Sequence, residues 1–276
     1  MFDEHAGITA GGEECTTLAY ADYSECPESQ RMPDGGVIDM DCIIWTYVTE
    51  CETLPDTQGL VIPLDGVQVL MRQLFTVRQA ITDINGYFST DYVRGKARYV
   101  VQWERYHFSI RDGLTLQAEL RGPNVKQQNW NKVITGGEDA YHAIIHEATH
   151  EYYYGNTLGT HRPQTNGAGR SQMKIAALEQ DGPSSHIPEF NFLLFPFQPK
   201  IKIKEWSDNT EERYGTTIHE LAHSAHRSLD PTRYSSLVSR GYVLPCVTFS
   251  GCNDSSNSDH QSARRLLETW ATTVEI

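Results

Sequence analysis

From Val37 to Leu120 apolar and polar residues alternate in short runs: VIDMDCIIWTYVTE, GVQVLMRQLF, VRQAITD, YFSTDYV, ARYVVQWERYHFSI and LTLQAEL. A period of two predicts strands that bury one face, and many short strands punctuated by turn residues predict a β-sandwich. The sharpest turn signal is Asn85-Gly86, a pair able to supply the two positive-φ residues of a tight hairpin. Gly122-Pro123-Asn124 predicts the end of the β region.

After Trp130 the period lengthens. GGEDAYHAIIHEATHEYYYGN predicts a helix, with Glu138 and Asp139 suited to its first turn and Gly155-Asn156 to its stop. HRPQTNGAGRSQ reads as loop, and MKIAALEQD as a short amphipathic helix or strand. Ile201 and Ile203 alternate with Lys202 and Lys204, which predicts a half-exposed strand. A helix capped by Thr216 or Thr217 is expected to run to Leu229, where Asp230-Pro231 stops it. The last element, SARRLLETWATTVEI, predicts a helix with Leu266, Leu267 and Trp270 toward a core. Residues 1–36 carry no sustained periodicity and read as an irregular arm. The pattern therefore predicts an α+β protein: an arm (1–36), a β-sandwich (37–122) and a mainly helical domain (123–276).

Composition adds limits. The 276 residues are 39% hydrophobic, enough for a real core in one large domain or two ordinary ones. A net charge of −13 argues against a nucleic-acid partner or a general anionic-membrane surface, since phosphate backbones attract basic patches. No apolar run approaches the roughly 20 residues that span a bilayer, so no transmembrane segment is expected. The six cysteines fall in three local pairs, Cys15 with Cys26, Cys42 with Cys51, and Cys246 with Cys252. None forms Cys-x-x-Cys, so the economical reading is three local disulfides and an extracytoplasmic location, secreted, periplasmic or surface-anchored. The start, MFDEHAGITAGGEEC, lacks the basic and apolar regions of a signal peptide, so an export signal would already have been removed.

The candidate chemistry lies in His219-Glu220-Leu221-Ala222-His223. On a helix His219 and His223 sit one turn apart on one face, where two neutral imidazoles suit a single zinc ion. Glu220 projects beside them, placed to take a proton from water. A second copy of the pattern, His146-Glu147-Ala148-Thr149-His150, extends backward to His142 as a stripe. Three turns is too long for one ion to be held by all three histidines, so a metal there would need a distant group. In neither copy is a third histidine spaced as in the long metzincin motif, because Leu229 and Asn156 occupy the required positions. Glu268, on the last predicted helix, is the candidate third ligand. His226 lies near the ligand face, and Tyr214 and Tyr234 are candidate oxyanion-stabilising phenols.

Two resemblances accompany these residues. Asp83-Ile84-Asn85-Gly86-Tyr87-Phe88 resembles the Asp-x-x-Gly-x-Phe hairpin of transthyretin-like, carboxypeptidase-regulatory-like sandwiches, over about residues 56 to 120. YGTTIHELAHSAH followed by ETWATTVE resembles secreted or lipoprotein gluzincin-like zinc metallopeptidases of Bacteroidetes, with Thr269 where serine is usual. GPNVKQQNWN and YYYGNTLGTHRP occur in the expected order, so the likeness covers most of residues 56 to 276. It implies a zincin-like peptidase domain in which His219, His223 and Glu268 hold Zn²⁺, Glu220 is the general base and the substrate is a peptide or protein. It also implies that the strand near Lys200 to Lys204 acts as an edge strand aligning that substrate, and that the tyrosine-rich helix is not the metal helix. Two further readings stand beside it. One is a secreted binding or adhesion protein whose metal is structural or vestigial, and the other is a two-metal hydrolase using both motifs.

Overall fold

The computed structural model describes residues 42–48, 60–91, 93–126, 128–155, 159–163, 172–186, 201–244 and 258–275. The arm at 1–36 and every cysteine side chain lie outside the described residues, so the expected disulfides do too. The architecture is α+β and divides into two compact units. One comprises Met1–Trp103 with Glu119–Ala143, and the other Glu104–Ala118 with Ile144–Ile276.

The first unit contains two sheets. In one, β1 (Cys42–Val48) lies between β2 (Leu60–Pro63), antiparallel to it, and β10 (Lys132–Ile134), parallel to it, while β5 (Tyr87–Phe88) pairs with the start of β1. The other runs β4-β3-β6-β9, formed by β3 (Gln68–Gln73), β4 (Thr76–Ile81), β6 (Ala97–Gln102) and β9 (Glu119–Val125), all antiparallel. Val69, Met71, Tyr99 and Val101 are buried along the two central strands, and Trp103 just after β6 is buried too. Phe88 from the first sheet meets the edge of Tyr99 from the second, ring centroids 6.0 Å apart.

Two turn expectations need correction here. Gly86 adopts a φ of 77°, but Asn85 does not enter the left-handed region. The Asp83 carboxylate accepts from the N–H groups of Asn85 (2.8 Å) and Tyr87 (3.0 Å), and the Asp83 carbonyl accepts from Gly86 N–H (2.8 Å). This side-chain-closed turn needs one positive φ, not two. Gly122-Pro123-Asn124 does not close the β region either; it lies inside β9, an outer strand, where the register with β6 shifts between Arg98 and Val100. Proline and glycine are tolerated at such an edge bulge. A Cβ on Gly122 would come within 2.8 Å of the Trp130 ring and 2.9 Å of Tyr99, so the bare backbone makes room for that indole.

The run ARYVVQWERYHFSI, expected as one strand, breaks after Gln102. Its second half is β7 (Phe108–Asp112), which forms a hairpin with β8 (Leu116–Gln117) in the other unit's sheet, not in the sandwich. That sheet is ordered β12-β13-β11-β7-β8, with β11 (Met173–Ala177), β12 (Ser185–His186) and β13 (Ile201–Ile203). β7, β11 and β13 are mutually parallel, and β8 and β12 flank them antiparallel. The expected mainly helical part thus also contains strands of this sheet. MKIAA is a strand because it is the middle of this sheet, with Met173, Ile175, Ala176 and Ala177 all buried.

Among the described residues the α-helices are α1 (Gly137–Tyr154), which contributes to both units, α2 (Thr210–Leu229), α3 (Pro231–Val238) and α4 (Ser258–Glu275). Asn209, not Thr216 or Thr217, caps α2, its side-chain oxygen accepting from Glu212 N–H at 2.8 Å. Glu211 and Glu212 in the first turn favour this earlier start. Thr217 donates instead to the Arg213 carbonyl within the helix, at 2.7 Å. The expected stop holds: Leu229 ends α2, and Asp230 then caps α3 by accepting from Arg233 N–H, with Pro231 at the first helical position. A π-helical turn, Ser239–Val243, follows α3.

Candidate metal centre

Ile218, Leu221, Ala222 and Ala225 are buried and hold α2 in place, at about 1.5–3 kcal/mol for each large side chain. With that face fixed, His219 and His223 project together from one side of α2, ring centroids 4.8 Å apart and planes at 82°. α4 packs through Ala263, Leu267, Ala271 and Val274, a helical spacing that leaves Leu266 exposed, contrary to expectation, and Trp270 half-buried. Glu268, next to Leu267, reaches both histidines. Its Oε2 lies 3.2 Å from His219 Nε2 and 3.6 Å from His223 Nε2.

These three residues are the group of metal-ligating type brought together among the described residues, one ligand atom from each lying within 4.8 Å of the others. Two imidazole nitrogens and a carboxylate oxygen form a donor set that suits zinc. Glu220 supplies a second observation in favour of the fit. It is 7% exposed, and its Oε2 is buried with no hydrogen-bond partner among the described residues. A buried carboxylate oxygen without a donor is costly unless a ligand, ion or water meets it.

The electrostatics follow from this crowding. Burial raises the Glu220 pKa, against the lowering effects of His223, His219 and the backbone N–H of His186. The hydrogen bonds from His219 and His223, joined by Tyr242, hold Glu268 far below the usual carboxylate range. Burial opposes protonation of His219, but Glu268 and Glu275 at its two ring nitrogens, with Glu220 nearby, raise its pKa on balance.

Three participants carry no local sequence signal or only a faint one. Glu275, two turns after Glu268 on the same face of α4, lies 3.0 Å from His219 Nδ1; that spacing was readable, its target was not. Tyr242, in the π-helical turn, donates its hydroxyl to Glu268. Its ring lies under the Arg264 guanidinium at 5.0 Å, and Arg264 Nε donates to the Gly241 carbonyl. His186, on β12, offers its backbone N–H to Glu220, and its Nδ1 lies 3.2 Å from the Tyr234 hydroxyl.

The remaining candidates separate clearly. Tyr234 is therefore at the site, whereas Tyr214 faces Glu151 and Glu147 of α1; burial first, then those carboxylates, push its phenol up to about 12. His226 packs on Tyr234 (5.2 Å) and Trp270 (5.0 Å) and makes no contact with Glu268. In the other motif, His142 is buried near Trp103, and His146 is buried between Phe108 (5.1 Å) and the stacked ring of His150 (6.0 Å). The stripe is occupied by aromatic packing. The strand expected to align a substrate, β13, lies between β12 and β11, so its main chain is paired on both sides; β12 is the outer strand among the described residues.

Among the described residues no helix is long and apolar enough to cross a membrane. No family model and no curated protein matches the chain. Among solved structures it is similar to the 5-hydroxyisourate hydrolase of Klebsiella pneumoniae, at 15% identity over 35% of this chain and 91% of that one, with a TM-score of 0.19. A TM-score that low carries no argument for either fold or activity.

Proposed function

We propose that this chain is a zinc-dependent peptidase with a gluzincin-like site in its second unit, acting on peptide or protein substrates outside the cytoplasm. The observation that carries the reading is the convergence of His219, His223 and Glu268 beside the buried, unpartnered Glu220 oxygen. A bound zinc ion would supply Lewis acidity toward the scissile carbonyl and acidify water. Glu220, its basicity raised by burial, accepts the proton of the attacking water and returns it to the leaving amine. The outer strand β12, whose His186 N–H already reaches Glu220, can align an extended peptide by main-chain pairing. Tyr242, which donates to Glu268, and Tyr234, beside His186, are the candidate phenols for the reacting carbonyl, in place of the pair Tyr214 and Tyr234.

A structural metal in a binding or adhesion protein would need a fourth protein ligand. The described residues bring together three, which favours the catalytic reading. The two-metal reading is not supported by the packed His142, His146 and His150 stripe. The test is Glu220→Gln. Zinc content is expected to stay at the wild-type level while peptide hydrolysis falls by about 10²- to 10⁴-fold. Undiminished hydrolysis in that variant would refute the proposal.

A further inference from the structure

His219 differs from His223 in one respect. Its Nδ1 faces the Glu275 carboxylate at 3.0 Å, whereas the Nδ1 of His223 is buried with no hydrogen-bond partner among the described residues. With Nδ1–H donated to Glu275, a neutral His219 would offer its Nε2 lone pair to a bound ion; Nε2 is the nitrogen that lies 3.2 Å from Glu268 Oε2. Orientation of one ring therefore depends on a carboxylate outside the ligand set.

The Glu275 carboxylate lies over a gap in α2. Gly215 sits one turn before His219 on the same face, and a Cβ there would come within 2.8 Å of Glu275 Oε1. Glycine in a helix interior is otherwise unfavourable, and nothing in the local backbone demands it, since Gly215 has no positive φ. The missing side chain is explained by the carboxylate that occupies its space.

We propose that Gly215 and Glu275 form a matched pair that fixes the ring of His219, making Glu275 a positioning residue for metal capture. The inference rests on the metal site proposed above. The atom that a Cβ would displace is the end of a flexible side chain, so Gly215→Ala is expected to fold, with helix propensity in its favour, and to act by pushing Glu275 off the ring.

The experiment is a double-mutant cycle on zinc affinity, read by competition with a chromophoric chelator, with thermal unfolding of each apo protein alongside. Glu275→Ala is expected to weaken zinc binding by about 10- to 100-fold. Gly215→Ala should weaken it in the same direction without lowering apo stability, and should have no further effect in the Glu275→Ala background. Glu275→Gln, which keeps an acceptor for Nδ1–H, should recover part of the affinity. Wild-type chain that takes up no zinc overturns the metal-site reading and this inference together. Tight wild-type binding with Glu275→Ala within about twofold of it, or a Gly215→Ala effect that persists without Glu275, overturns this inference alone.

Discussion

Oε2 of Glu268 lies 3.2 Å from Nε2 of His219 and only slightly farther from Nε2 of His223, although α4 and α2 are separated in sequence by α3 and the π-helical turn. One oxygen facing two imidazole nitrogens is the arrangement a cation would occupy.

Removing that carboxylate should therefore cost more than removing an outer partner. Glu268→Ala is expected to lose more zinc affinity than the about 10- to 100-fold typical of removing a group that only hydrogen-bonds a ligand. Binding to the folded chain alone also stabilises it, by about 2.7 kcal/mol at a free zinc concentration 100 times the dissociation constant. Calorimetry should accordingly show a zinc-dependent rise in Tm for wild type that a chelator reverses and that Glu268→Ala lacks.

The other HExxH motif yields a stability prediction. Burial first, then the neighbouring Glu151, push the Glu147 carboxyl up to about 7 from its ordinary value near 4.5. The folded chain thus holds this proton more tightly than the unfolded chain does. Below pH 4.5 both states are protonated and the penalty is absent; it grows as pH rises and is complete above about 7, reaching on the order of 3 kcal/mol. Glu147→Gln should raise Tm at pH 8 and leave it unchanged at pH 4, as read by pH-dependent thermal melts.

In the first unit, Gly122 is expected to resist any side chain. Its Cβ would press on the rings and backbone-proximal atoms of two buried residues, Trp130 and Tyr99, so Gly122→Ala should destabilise by about 1–3 kcal/mol. Gly136→Ala, where a Cβ meets nothing within 4 Å, is the control and should be near neutral. Urea unfolding followed by tryptophan fluorescence separates the two.

Much of the second unit was legible locally. The i, i+4 histidines, the isoleucine–lysine alternation of β13, and the stop at Asp230-Pro231 all depend on neighbours within a turn or two, and all lie where periodicity and capping place them. The errors share one cause. ARYVVQWERYHFSI reads as a single strand because nothing in it says that its second half will pair with β11, far along the chain. Gly122-Pro123 reads as an ending because a bulge on an outer strand depends on the partner strand. Leu266 reads as core because hydrophobicity alone does not say which side of α4 meets α2.

The shared face of His219 and His223 on α2, with Glu220 beside it as the candidate base, was determined by the sequence itself, since helical geometry places these residues whatever surrounds them. Which of the two HExxH helices could hold a metal was decided by tertiary structure. One stripe packs against Phe108 and Trp103, while the other is met by a carboxylate from α4. Glu275, Tyr242 and the backbone of His186 likewise join the site only through chain crossings that no local pattern encodes. A metal site needs donors converging on a point, and that convergence is a property of packed elements, not of spacing along one of them.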